Sequence, residues 1–173
     1  MPHLDTGLLY RAVGMRLLDS GLDPADAAAA EDAALALSVA ELSRPDLRGP
    51  AADAAAAAAA AIPGVRAALL DFQRGFGART GAVLDGRDIG TVIHPDAAVK
   101  FWITATAAAR GHRRWVELRG RGVEAAEADV VAEVIARDAR DAVRLVPAAD
   151  ARVIDTSGLD ADATFARALA AFA

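Results

Sequence analysis

"RDARDAVR", residues 137–144, sets Arg137, Asp141 and Arg144 at i, i+4 and i+7, along one face of a helix. Two guanidinium groups flanking a carboxylate suit a phosphorylated sugar. The arginines offer forked donors to phosphate, and the carboxylate accepts from a sugar hydroxyl. Each hydrogen bond to a charged group contributes about 1.5–3 kcal/mol. Between two cations, Asp141 is expected to stay ionised. A second set is "LDGRDIGT", residues 84–91, where the apolar stretch Ala82–Leu84 runs into Asp85, Arg87 and Asp88 around Gly86. Both sets also have a plainer reading. The first is equally a self-paired, solvated helix face, each pair worth a few tenths of a kcal/mol. The second is equally a charged turn after a strand. Residue types and spacing leave these alternatives open.

A third set, "RGHRRWVELRGRG", carries Arg110, Arg113, Arg114, Arg119 and Arg121. Residues 101–144 hold eight arginines against seven acids, so there is no basic stripe for a polyanion. With a net charge of -5 across 173 residues, nucleic acid is not an expected partner. A helix that folds over a small anion fits better, with Trp115 as a packing residue. The chain has no cysteine, and His3, His94 and His112 show no paired spacing for a metal. No serine sits in a GxSxG elbow. No apolar run nears the roughly 20 residues of a membrane span, and there is no signal peptide, so a cytoplasmic protein is expected.

Positioning these charges requires strands and helices in alternation. His3–Asp5 reads as a strand, followed by a helix to about Ser20 with Asp5 and Thr6 as candidate caps and Gly21 beyond its end. Another helix is expected near Pro24. Eight consecutive alanines, residues 54–61, favour helix on propensity. Pro63 opens a helix to about Phe76, with Val65, Leu69, Phe72 and Phe76 on one face. Strands are expected at Ala82–Asp85, Val99–Ile103 and Arg152–Asp155. Helices are expected at about 105–119, about 124–144 and at the chain's end. Short apolar strands alternating with helices imply an α/β fold with a parallel sheet covered on both faces. In such sheets ligands bind beyond the carboxyl ends of the strands, which is where "DGRD" stands.

Taken together, "LDTGLLYRAV" (4–13), "IPGVRAALLDFQR" (62–74), "LDGRDIGTVIHPDAAVKFWITA" (84–105), "RDARDAVR" (137–144) and "LVPAADARVIDTSGLD" (145–160) resemble bacterial cytidylate kinases, in the family's order and over nearly the whole chain. The resemblance implies a single domain over 1–173, the three-layer parallel α/β fold of nucleoside monophosphate kinases. Residues of about 24–62 would form a helical CMP-binding segment, and about 106–123 the lid. It implies phosphoryl transfer from ATP, with Mg2+, to CMP or dCMP, by a monomeric protein without membrane partners. Arg11, Arg87 and Arg144 match residues that hold the monophosphate. Arg137 and Asp141 match those that hold the ribose hydroxyls. Arg66 and Asp88 match those that read the cytosine edge, with Thr6 near it. Arg110, Arg113 and Arg114 match the arginines that steady the moving phosphoryl group. No residue is expected in direct contact with the metal, and Asp85 is the candidate to orient the magnesium shell.

Some features depart from the family pattern. The 173 residues contain no GxxxxGK[ST] phosphate loop, and Lys100, the only lysine, falls in a strand. The family's first strand, central in the spatial order 2-3-1-4-5, has no residues here to form it. Ala57 stands where the family has a serine that helps read cytosine. About four residues are missing after Arg144. The chain as written is therefore expected to be inactive, a start assigned too late being the favoured explanation. A non-catalytic CMP-binding remnant, a nonfunctional fragment, or a related small-molecule kinase with another acceptor are the alternatives.

Overall fold

The computed structural model describes residues 1–76, 78 and 81–172, in two compact units, Met1–Ile89 and Gly90–Ala173.

In the first unit, β1 (His3–Asp5) leads directly into α1 (Thr6–Asp19). Asp5 is the cap, its carboxylate accepting from the Gly7 N–H at 3.0 Å. Thr6 is not a cap but the first helical residue, and its hydroxyl turns to β2 (Val83–Asp85), donating to the Asp85 carbonyl at 2.7 Å. The helix ends at Gly21, whose φ of 69° lies in the left-handed region. The second helix, α2 (Ala27–Leu35), starts later than Pro24 because Asp26 accepts from the Ala28 and Ala29 N–H groups. Two 3-10 turns, Val39–Ser43 and Pro45–Leu47, connect it to α3 (Pro50–Ala60). The alanine run is helical, and Pro50 begins it at the first turn, where its missing N–H costs nothing. A sharp break follows, and α4 (Pro63–Gly75) buries Val65, Leu69 and Gln73, with Phe72 and Phe76 partly buried beside them. Strands β1 and β2 pair in parallel, Asp5 opposite Asp85.

The core of this unit joins Leu9, Val13 and Leu17 of α1 to Leu47, Val65 and Leu69. α1 and α3 approach closely at Gly14, where a Cβ would stand 2.6 Å from that of Ala55 and 2.7 Å from its backbone. The small residues of α3 let the two helices approach this closely.

A π-turn, Ile89–Ile93, follows β2. The second unit then contains β3 (Phe101–Thr104), α5 (Ala107–Gly120), α6 (Glu127–Asp141), β4 (Arg152–Asp155) and α7 (Ala161–Phe172). Strands β3 and β4 pair in parallel, Phe101 opposite Arg152. The parallel strands and interleaved helices are those expected, and the neighbours 2-3 and 4-5 of the expected order are the pairs observed. They form two two-stranded sheets in place of one. α6 also stops short of Arg144: the Arg144 and Leu145 N–H groups both turn back to the Asp141 carbonyl, at 2.8 and 3.0 Å. Among the described residues no single helix is long and apolar enough to cross a membrane.

Candidate functional site

The first unit gathers one group of candidate residues around the end of β2. Gly86 permits the turn there, since a Cβ would lie 2.2 Å from the Thr6 hydroxyl oxygen. Two residues on, Asp88 meets Arg66 of α4, Nη2 to Oδ2 at 2.7 Å, with the carboxylate only 14% exposed. This pair sets a carboxylate acceptor beside a guanidinium donor. Arg87, between Gly86 and Asp88, is half-buried. Asp85 receives the exposed His3 ring, Nε2 to Oδ2 at 2.6 Å. Arg11 of α1 donates from Nη1 to the Leu47 carbonyl at 2.9 Å and meets Asp53 of α3 through Nη2 at 2.6 Å. Ala57, one turn further along α3, is exposed.

The second unit holds the other group. The arrangement read from "RDARDAVR" is present, although Arg144 reaches it from a turn rather than from the helix. Asp141 is buried, at 8% exposure. Arg144 Nη2 lies 2.5 Å from its Oδ1, and Arg137 Nε 4.0 Å from its Oδ2. The short run after Asp141 folds Arg144 back onto the same carboxylate, so both cations flank it.

Arg110, Arg113 and Arg114 of α5 are all engaged. Arg110 donates to the Asp138 carboxylate from both terminal nitrogens, at 2.8 and 2.5 Å, and from Nε to the Ala105 carbonyl at 3.0 Å. The Asp138 hydrogen bond pushes the guanidinium pKa above its already high value. Arg113 donates to the Thr156 hydroxyl and carbonyl at the end of β4, and Arg114 to Glu117 at 2.9 Å. The Trp115 ring is partly exposed; its indole N–H donates to the Ala125 carbonyl at 3.0 Å, and Arg119 lies 4.8 Å from its ring centre.

The carboxylates Asp53 and Asp138 had no part in the sequence reading. Asp53 is the one charge breaking the alanine tract, and Asp138 stands inside "RDARD", beside Arg137. Those positions were the available signal. Among the described residues no three His, Asp or Glu side chains converge to hold a metal.

The parallel strands and interleaved helices are those of the nucleoside monophosphate kinase class, with the paired arginines and carboxylates carried mainly on the helices. The family model described as cytidylate kinase matches residues 1–173. The chain is 59% identical to the cytidylate kinase of Granulibacter bethesdensis over 97% of its own length and 82% of the relative's. It is 56% identical to that of Paramagnetospirillum magneticum, over 96% and 83% respectively, and 52% identical to that of Acidiphilium cryptum, over 97% and 81%. The chain belongs to the cytidylate kinase family.

Proposed function

We propose that the protein transfers the γ-phosphoryl group of ATP to CMP or dCMP, as a cytoplasmic monomer whose 173 residues form one nucleoside monophosphate kinase domain. Residues 24–62 contribute its CMP-side helices and 106–123 its lid. The observation that carries the reading is the buried Asp141 flanked by Arg137 and Arg144. Asp141 and Arg137 hold the ribose hydroxyls, and Arg144, with Arg11 and Arg87, holds the monophosphate. Arg66 and Asp88 take the cytosine edge, with Thr6 close by. Arg110, Arg113 and Arg114 belong to the donor side. Phosphoryl transfer needs mainly positioning and neutralisation of charge. Mg2+ travels with the ATP phosphates and would be oriented by Asp85 through water.

Each of these arginines already has protein partners or is partly buried, so CMP exchanges one charge-assisted hydrogen bond for another and gains through the sum. The reading is tested by calorimetric titration of CMP and cytidine into the protein and into its Arg87→Ala and Arg144→Ala variants. Each substitution is expected to cost about 1.5–3 kcal/mol for CMP and much less for cytidine. Equal losses for both ligands would refute the phosphate assignment. The 173-residue polypeptide by itself, which contains no GxxxxGK[ST], is expected to bind CMP weakly with at most trace turnover. Rapid production of CDP from CMP and ATP by that polypeptide would overturn this second expectation.

A further inference from the structure

Asp138 has no substrate role in the reading above, yet it occupies the most engaged contact between α5 and α6. Its two oxygens take the terminal N–H groups of Arg110, while the Arg110 Nε donates to the Ala105 carbonyl. Three of the five N–H donors of the guanidinium are thus spent on protein. The two left over lie on opposite sides of the group and form no fork. In this arrangement Arg110 is held rather than poised to grip a phosphoryl group with two prongs.

The place of this contact matters. Arg110 lies near the start of α5 and Asp138 near the end of α6, so it closes the open end of the helical hairpin. The connecting end has separate ties. His112 Nδ1 meets Glu127 at 2.8 Å, and the Trp115 indole donates to Ala125. Between them the helices touch at Gly111, where a Cβ would lie 2.4 Å from Val131 Cγ2. Asp138 also stands one residue after Arg137 and three before Asp141. The segment that carries the arginine–carboxylate triad is therefore bonded directly to the first turn of α5.

We propose that Asp138 is a positioning residue that makes the open end of the α5–α6 hairpin one piece, so that a nucleoside monophosphate held by Arg137, Asp141 and Arg144 orders α5 as well. This rests on the reading of those three residues as CMP partners. Asp138 touches no substrate; it acts by holding Arg110.

Hydrogen exchange of the 173-residue chain, with and without saturating CMP, tests it. CMP is expected to slow exchange in both 137–141 and 107–114. In Asp138→Asn, the protection of 137–141 should persist while that of 107–114 falls by about tenfold, the scale of one charge-assisted hydrogen bond. Asp138→Glu should restore part of it. Arg110→Gln, which leaves Asp138 intact, should show the same selective loss and serves if the Asp138 variants fold poorly. Undiminished protection of 107–114 in Asp138→Asn or in Arg110→Gln would overturn the proposal. CMP that protects neither segment in the parent chain would overturn the reading of the triad, and this proposal with it.

Discussion

Lys100 is the only lysine in the chain, and its side chain is 9% exposed. Its ammonium group donates to the Pro95 carbonyl and to both oxygens of Asp150, at 2.9 and 2.8 Å. The stem lies against Gly90, where a Cβ would stand 3.1 Å from the Lys100 Cδ. The hydrogen bond from Lys100 holds the Asp150 pKa below its ordinary 3.8. Asp155 is lowered likewise by the Ser157 hydroxyl, and Glu41 by the Ser38 backbone N–H. A carboxyl group whose folded pKa is depressed contributes stability above its unfolded pKa and loses it as pH falls through the folded value. Stability is therefore expected to decline below about pH 4, as these groups are protonated. Lys100→Met should flatten part of that acid limb, since Asp150 then titrates nearly as it does unfolded. Urea melts across the acid range check this; an acid limb of unchanged steepness in the variant would contradict it.

At the scale of elements, the alanine tract has a packing reason. Ala52, Ala55 and Ala59 are the buried face of α3, and Ala55 lies where α1 presents Gly14. Gly14→Ala adds a methyl group where there is no room, and the expected loss is about 1–3 kcal/mol despite the better helix propensity of alanine. A denaturation midpoint equal to or above the parent's would show that the helices can separate at no cost. The tract also shows what could be read from sequence. Its helicity followed from propensity, but its partner did not, because eight alanines offer no pattern to say which face is buried. The strands were legible as short apolar runs, and α4 as a periodic face whose only surprise was buried Gln73, satisfied by its own Leu69 carbonyl at 2.9 Å. The division into two sheets was legible through the resemblance, since an order 2-3-1-4-5 with no strand-1 residues among the 173 leaves the pairs 2-3 and 4-5; no local pattern records those pairings, which join segments about eighty residues apart for β1 and β2 and about fifty for β3 and β4. The arginines were legible by type and spacing. Their partners Asp53 and Asp138 depend on which helices meet, which no local pattern records.

Across the whole molecule, burial is uneven. The hydrophobic cluster of Leu4, Leu9, Val13 and Leu69 belongs to Met1–Ile89. In Gly90–Ala173 the buried apolar residues among those described are Ile93, Val130 and Ile154, while Phe165, Leu169 and Phe172 of α7 are more than half exposed. Burying a large apolar side chain contributes about 1.5–3 kcal/mol, so the second unit has far less to hold it. Amides of α5, α6 and α7 are expected to exchange at least about tenfold faster than those of α1 and α4. Equal protection in both units would refute this. The indole and phenol side chains divide along the same line. Trp102 and Trp115 both belong to the second unit, and Tyr10, the sole tyrosine, to the first. Indole emission therefore samples Gly90–Ala173 alone, whereas far-ultraviolet ellipticity samples every helix. The unmodified chain is its own two-channel instrument: one thermal scan read in both channels yields either coincident transitions, the mark of a single cooperative unit, or an optical signal that fades before the helical one.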